Sequence, residues 1–546
     1  MISRFVQIFN SFSKKERYTF LGAFLVFVVT AAAFSVIFIR NNSTLVPIDG
    51  GEYTEGAIGQ PTFINPVLAQ NDSVDNDLAT LVFSNLKDMS DSIEASGDQK
   101  TFQVRIKGDI FWQDGTPITA DDVIYTIRAI QDPDLNSPDS QEWTGVKAER
   151  VSERELTVTI PAAYSYFQNV LSNLRPIPKH IFENIPFANL RLSSYNLEPV
   201  GSGPFQFSSF NKRRDGFITE YSFDKNKKYF GKIPYLSSIN VKMYSNETDL
   251  IKAFNSGDVD GMAIYDPENI SKISIPRQTF KIRTTKYYAV FFNNSDANSP
   301  LNNQAVRNAL NLATDKNEMV KNVFNDLASP INGPIILDSY DQEEFSIDKA
   351  NALLDADGWV VGDDGVREKN DKQGAARLEF TLTVYPSSFL LKTANLLKES
   401  WAKIGVKINI DAPAAETFND NVIKTRNYSM LLFGNIYGEN IDPYSFWDSS
   451  QRYYPGLNLS LFSDKNVDSL IDTVRTTFDE TLRQKELQSV QSSIITSQPA
   501  IFLYSPYYIY ITNKTLRGFD ASFLPLPNDR FLNANNWYVK TARSFK

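Results

Sequence analysis

The sequence contains no cysteine and a single histidine, His180, in 546 residues. The lack of cysteine excludes disulfides, thiolate nucleophiles, cysteine-ligated zinc or iron–sulfur centres, and a lipid attached through an N-terminal cysteine. A single histidine makes a Ser-His-Asp triad or a histidine-rich metal site hard to build. We therefore expect no metal and no cofactor, and among enzymes only a hydrolase that works with carboxylates alone remains as an alternative.

Positive charge is also scarce. The chain has 55 Lys and Arg residues against 64 Asp and Glu, a formal net charge of −9. A general nucleic-acid binder needs a basic face to neutralise phosphates, so the composition argues against that class. Aromatic residues make up 13% of the chain and hydrophobic residues 42%. At about 150 residues per domain, the length predicts a globular protein of three or four units.

One long apolar run stands near the N-terminus. Phe20 to Ile39 contains no charged residue, and 20 helical residues at about 1.5 Å each span the roughly 30 Å of a bilayer core. A cleaved signal peptide is the alternative, because the alanines at 31–33 are small enough for a cleavage site. The apolar run continues past these alanines to Ile39, which favours an uncleaved transmembrane anchor over 20–39.

The charges around this run predict its orientation. Basic residues precede it at Arg4, Lys14, Lys15 and Arg17, so the positive-inside rule places residues 1–19 in the cytoplasm. The rest of the chain would lie outside the cell membrane, in the periplasmic or extracellular space, held by a single span. Residues 40–51 are polar and contain glycine and proline, which is typical of a linker.

Beyond residue 51, strand patterns alternate with helix patterns. Phe102 to Ile106 alternates apolar and polar residues as a strand does, and a helix with a capping signal at Thr119 follows. Leu390, Ala394, Leu397, Trp401 and Ile404 lie on one helix face, which Gly405 ends before an alternating strand. Gly257 predicts the end of a helix, and Asp364-Gly365 predicts a hairpin turn. The pattern predicts a mixed α/β fold.

The residues 111–123, FWQDGTPITADDV, resemble the signature of extracellular solute-binding proteins of family 5, the dipeptide and oligopeptide receptors of ABC importers. Five further segments occur in the order typical of that family, and together they cover nearly the whole chain beyond the anchor. They are PIPKH at 176–180, VGSGPF at 200–205, AFNSGDVD at 253–260, AVRNALNLATDK at 305–316 and DPYSFW at 442–447.

The resemblance implies an α/β fold of the two-lobed periplasmic-binding-protein type II, with an extra subdomain and, here, one transmembrane helix before it. A ligand cleft would lie between the lobes, with a hinge of two crossing strands. The expected divisions are 50–83, 197–288 and 506–546 for the first lobe, 84–196 for a subdomain inserted in it, and 289–505 for the second lobe.

The same resemblance suggests the ligand-binding residues. In peptide-binding relatives, an acidic residue four positions before the proline of the last motif holds the ligand's α-ammonium group, and Glu439 stands four positions before Pro443. A carboxylate facing an ammonium in a closed cleft makes a charge-assisted hydrogen bond. The alternative is a solvated loop glutamate, which is the usual place of a charged residue.

The remaining candidates combine polar groups with aromatic walls, as solute pockets do. Asn435, Tyr437, Asp442 and Trp447 surround Glu439 in the sequence, and packing inside the second lobe is the alternative for the aromatic residues. Two more residues lie in a segment that resembles the first cleft loop of the family, for which a plain turn is the alternative. These are Gln60 and Phe63.

The sequence thus predicts a membrane-tethered, monomeric receptor rather than an enzyme. It would bind an oligopeptide or dipeptide and deliver it to ABC permease subunits and their associated ATPase. A receptor for a sugar, an opine or a metal chelate, and a solute sensor, remain as alternatives, followed by a carboxylate-dependent cell-wall hydrolase.

Overall fold

The computed structural model describes residues 10–69, 74–296, 298–336, 344–371 and 374–545. A 29-residue helix, Lys14–Asn42, comes first in this part of the chain. Ser13 caps it, because its hydroxyl accepts from the backbone N–H of Glu16 and the Glu16 carboxylate accepts from the backbone N–H of Ser13. The helix buries none of its residues against the rest of the protein, and its length and composition suffice to cross a membrane. The predicted span, 20–39, lies inside it.

A two-stranded antiparallel ribbon follows this helix without a break. Its strands are Ser43–Pro47 and Thr541–Phe545, so the chain after the helix pairs with the C-terminal end of the described chain. We expected a linker over 40–51, and part of that segment is instead a strand. Its partner is 500 residues away, as the hydrogen bond from Arg543 to Ser43 shows, and a local sequence pattern contains no signal for such a distant pairing.

The first lobe is built on a seven-stranded mixed sheet. Its centre is the strand Glu52–Ile58, which pairs in parallel with Ser238–Tyr244 and with Gly261–Ile264. The helix Glu247–Ser256 ends at Gly257, whose φ of +80° lies in the left-handed region that favours glycine, as predicted. In spatial order the strands are Arg277–Ile282, Tyr508–Asn513, Gly261–Ile264, Glu52–Ile58, Ser238–Tyr244, Ile218–Lys225 and Phe205–Lys212.

A four-stranded antiparallel sheet lies within residues 84–196, the segment for which we expected a subdomain. The predicted helix is present as Ala120–Gln131, and Thr119 and Asp122 form its capping box. The strands in spatial order are Ser90–Ala95, Thr101–Ile106, Glu155–Thr159 and Lys147–Arg150. Further helices before residue 197 are Val74–Val82, Leu86–Met89, Phe167–Asn173 and Lys179–Phe182.

The second lobe is built on a six-stranded sheet. The predicted helix is Ser388–Ala402, and Trp401 on its apolar face is completely buried. The strands in spatial order are Ala328–Pro330, Ala500–Pro506, Lys286–Phe292, Met430–Ile436, Glu379–Val384 and Lys407–Asp411. The other helices of this part are Gln304–Leu312, Lys316–Phe324, Ile347–Ala356, Ala415–Phe418, Tyr444–Trp447, Lys465–Thr476 and Glu480–Ser497.

A small three-stranded sheet lies between the helices Ile347–Ala356 and Ser388–Ala402 in the sequence. Its strands are Val360–Val361, Arg367–Asp371 and Gly374–Arg377. The turn predicted at Asp364-Gly365 joins the first two strands, and Gly365 has a φ of +81° there. The sequence pattern therefore located this hairpin correctly.

The chain passes twice between the two large sheets. Arg277–Ile282 belongs to the first lobe and Lys286–Phe292 to the second, so residues 283–285 make one crossing. Ala500–Pro506 and Tyr508–Asn513 are divided in the same way, so Tyr507 makes the other crossing. We expected the lobes to meet after residues 288 and 505. The strands place the crossings a few residues away, because Tyr287 and Tyr288 already pair with the second-lobe strand Met430–Ile436 and Pro506 still pairs with Ala328.

Candidate ligand-binding site

The loop after Met430–Ile436 lies where both lobes and the subdomain meet. Gly438, with a φ of +74°, turns the chain there, and its backbone N–H donates to Thr285 Oγ1 in the first crossing at 3.1 Å. From the subdomain, Tyr166 Oη donates to the Ile441 carbonyl oxygen at 2.7 Å. The loop that carries the candidate residues is therefore held by contacts from outside its own lobe.

Glu439 lies at the centre of this junction. Its carboxylate accepts hydrogen bonds from the side-chain amides of Asn169, at 3.3 Å, and Asn173. Both asparagines belong to the subdomain helix Phe167–Asn173. Desolvation and the neighbouring Asp529 raise the pKa of Glu439, and the nearby Arg175 opposes that shift. Glu439 is thus a carboxylate between lobes that stays exposed to solvent and is held by neutral amide groups.

A cavity of about 300 Å³ opens beside Glu439. Its other walls come from the C-terminal part of the first lobe, so the cavity lies between the two lobes. Asp529 contributes a second carboxylate, which accepts from the backbone N–H of Leu526 at 2.8 Å. The lining residues are Glu439, 519–525, Asp529, Arg530, Leu532, Asn533 and Trp537.

Asp442, three residues after Glu439, is engaged by two neighbours. Tyr164 Oη of the subdomain donates to it at 2.8 Å, and Arg475 Nε of the second lobe donates at 3.1 Å. The Arg475 guanidinium also lies over the rings of Tyr164 and Tyr444, at 4.8 Å and 4.1 Å from their centroids. Asp442 therefore joins the subdomain to the second lobe, and a role in ligand binding remains a prediction.

The aromatic candidates Tyr437 and Trp447 pack in one apolar cluster. Trp447 is 1% exposed and donates from Nε1 to Tyr437 Oη at 3.2 Å. Asn435 is also buried, and its amide donates to Tyr287 Oη at 3.2 Å. The alternative of packing inside the second lobe describes Trp447 better than a pocket wall does. These residues support the shape of the loop that carries Glu439.

The hydrogen bonds of Gln60 and the ring contact of Phe63 connect these residues to the first lobe and the subdomain, and not to the loop that carries Glu439. The Gln60 side chain accepts from the backbone N–H of Ile218 and donates to the Ile218 carbonyl oxygen, both at 2.8 Å. The Phe63 ring lies under the Arg191 guanidinium at 5.2 Å. Gln60 thus fastens the first loop to its own sheet, and ligand contact by either residue remains a prediction.

Sequence reasoning missed several charged residues that gather at the junction. Asp139 and Glu142 of the subdomain lie near each other, and Glu142 is also near Asp442. Burial raises the pKa of Asp139 to about 6, while Arg175 acts to lower it. Partial desolvation and the two neighbouring carboxylates raise the pKa of Glu142 to about 7, although its side chain reaches solvent. No motif contains these residues, since they are distant from Glu439 in sequence and only the fold brings them close.

The residues at this junction can recognise a ligand through charge and hydrogen bonds. The junction holds an excess of carboxylates, and a ligand that carries an ammonium group would complement them. Among the residues that the structure describes, no group of three or more His, Cys, Asp or Glu side chains could hold a metal ion.

Asp139 leads to a prediction about pH. Its carboxyl keeps a proton to higher pH in the folded protein than in the unfolded chain, so the free energy of unfolding should fall as pH rises from about 4 to 6. Asp139→Asn should remove that part of the slope. The check is thermal unfolding of the ligand-free protein at several pH values. Asp134→Asn, at an exposed position of the same loop, should keep the wild-type slope, and an unchanged slope in Asp139→Asn would contradict the prediction.

Comparison with known proteins identifies the class. The family model described as bacterial extracellular solute-binding proteins, family 5 Middle, matches residues 64–455. The chain is 24% identical over 519 residues to the oligopeptide-binding protein AppA of Bacillus subtilis (strain 168), which covers 90% of this chain and 92% of AppA. The family resemblance seen in the sequence is therefore confirmed.

Solved structures share the fold. The ABC transporter substrate binding protein CtaP from Listeria monocytogenes matches with a TM-score of 0.77 at 23% identity, over 90% of this chain and 99% of CtaP. NikZ from Campylobacter jejuni, solved in complex with Ni(L-His), matches with a TM-score of 0.72 at 25% identity, over 89% of this chain and 99% of NikZ. The predicted α/β two-lobed fold class is confirmed, and the same fold serves different solutes.

Proposed function

Because the chain belongs to family 5 of the bacterial extracellular solute-binding proteins, we propose that it captures peptides between its lobes and delivers them to an ABC permease. It is a solute-binding receptor and not an enzyme. The observation that carries the peptide proposal is the position of Glu439, a solvent-accessible carboxylate beside a cavity between the lobes. A peptide's α-ammonium would give this carboxylate a charged partner in place of neutral amides.

The permease subunits, with their associated ATPase, are the proposed partners, and the receptor acts as a monomer. Binding energy would shift an open–closed equilibrium, so a ligand must contact both lobes. The two crossings at 283–285 and Tyr507 are the points about which the lobes can move. Glu439 on the second lobe and Asp529 on the first line the same cavity, as such a contact requires.

The test of the peptide proposal uses the full chain in detergent. Native mass spectrometry of protein purified from cells should show bound peptides, and calorimetric titration with peptide mixtures should show binding. The same titrations are run with a Ni(L-His) complex and with an opine. Binding of either of these with no peptide binding would overturn the peptide proposal while leaving a receptor for another solute.

We also propose that the helix Lys14–Asn42 stays in the protein as a single-span anchor, with the N-terminus in the cytoplasm. The apolar run extends to Ile39, beyond the small residues at which a signal peptidase would cut. The protein from the membrane fraction should have the intact mass of a chain that still contains residues 14–42. A mature N-terminus after the alanines at 31–33, in a protein found outside the membrane fraction, would contradict this prediction.

A further inference from the structure

We propose that the ribbon Ser43–Pro47 with Thr541–Phe545 lies in the head-group layer of the outer leaflet and holds the receptor against the membrane. This inference rests on the proposed anchor. It goes beyond the tether, because it assigns a lipid-binding surface to a folded part of the receptor.

The ribbon lies only a few residues beyond the apolar run. The apolar run ends at Ile39, and the helix continues unbroken to Asn42, directly before the ribbon. Four residues at about 1.5 Å each place Ser43 only about 6 Å beyond the end of the apolar run. The head-group layer on each side of a bilayer is about 5 to 8 Å thick. No flexible segment separates helix and ribbon, so the ribbon must begin within this layer.

One face of the ribbon carries exposed apolar side chains. Paired residues of an antiparallel ribbon point to the same side, and alternate residues share a face. The register pairs Leu45 with Arg543 and Ser43 with Phe545, so Leu45, Arg543 and Phe545 share one face. Leu45 is 49% and Phe545 64% exposed. Ser43 on this face is buried, and the apolar side chain of Leu45 and the ring of Phe545 stay open to water among the described residues.

Positive charge lies beside these apolar side chains. Arg543 is exposed on the same face, and its guanidinium donates to Ser43 Oγ at 3.0 Å, which holds it beside Phe545. Arg40 lies in the last turn of the helix. Surfaces that lie in the membrane interface combine apolar side chains such as leucine and phenylalanine, which enter the boundary with the acyl chains, with arginines that attract anionic lipids. The ribbon face thus fits an anionic lipid surface.

The absence of cysteine makes the test direct, since any introduced cysteine is unique. Leu45→Cys and Phe545→Cys are spin-labelled separately in the full chain and reconstituted in nanodiscs that contain phosphatidylglycerol. Val151→Cys, at a 64% exposed position of the subdomain, is the matched control. Labels at both ribbon positions should lose collisions with a water-soluble nickel chelate relative to the control label. Equal accessibility at all three positions would overturn the proposal.

A second measurement separates the ribbon from the anchor. Arg543→Gln should raise the water accessibility of the label at position 545 in phosphatidylglycerol nanodiscs, towards the value seen in pure phosphatidylcholine. No difference between the two lipids or between the two proteins would contradict the role of charge. If the anchor itself were cleaved, the protein would instead fail to remain with the nanodiscs during purification, in the wild type and in every variant.

Discussion

Replacement of Glu439 by Gln should weaken the binding of peptides with a free N-terminus by about 10- to 150-fold. A hydrogen bond to a charged group contributes about 1.5–3 kcal/mol, and each 1.4 kcal/mol corresponds to a factor of ten in affinity. Glutamine keeps the size of the side chain and an oxygen that can accept from Asn169 and Asn173. The loss would therefore report the charge and not a collapse of the loop. Calorimetric titration of the full chain measures it.

Two controls make this result specific. Glu399→Gln changes an exposed residue of the helix Ser388–Ala402 and should leave affinity unchanged. Acetylation of the peptide N-terminus should weaken binding to the wild type as much as the substitution does, and should add nothing in Glu439→Gln. If the variant bound free and acetylated peptides as the wild type does, Glu439 would not be the ammonium-binding residue.

Replacement of Arg530 by Met should lower the stability of the first lobe by about 3–5 kcal/mol, the usual result of removing one partner of a buried ion pair. The guanidinium donates to both Asp77 oxygens at 2.7 Å and to Glu55 at 3.2 Å. The side chains of Arg530 and Glu55 are 4% and 0% exposed. Without Arg530, two carboxylates would remain close together with no cation between them.

Thermal unfolding of the ligand-free protein checks this prediction. For a cooperative unit of 150–250 residues, the expected loss corresponds to a fall of about 6–20 °C in Tm. Arg517→Met, an exposed arginine of the same C-terminal segment, is the matched control and should change Tm little. Glu55→Gln in the Arg530→Met protein should restore part of the stability, because it removes a buried charge. An equal Tm for Arg530→Met and Arg517→Met would contradict the importance of the network.

Local patterns predicted much of this fold because its elements are locally consistent. The strand Thr101–Ile106, the helix Ser388–Ala402 and the stop at Gly257 each follow from neighbouring residues. The same patterns did not predict the ribbon, because its strands come from opposite ends of the chain.

The site was less predictable than the fold. The family resemblance suggested Glu439 through its place four positions before Pro443, and the structure places it at the junction of the lobes. Asp529 and Asp139 could not be identified, because Asp529 approaches Glu439, and Asp139 approaches Arg175, only once the chain has folded. Trp447 has an aromatic ring that suits a pocket wall, yet it is 1% exposed and packs in the core, so its contact with a ligand remains a prediction.

The ribbon can form only after its second strand, Thr541–Phe545, has been synthesised. Ser43–Pro47 is synthesised early, and its partner Thr541–Phe545 comes 500 residues later. At about 5–20 residues per second, the first strand waits roughly 25 to 100 s for the second. During that time its backbone N–H and C=O groups are unpaired beside the membrane. We therefore expect the ribbon to be the last part of the receptor to fold during export. The protein should be most sensitive to proteases in the period before the two strands pair.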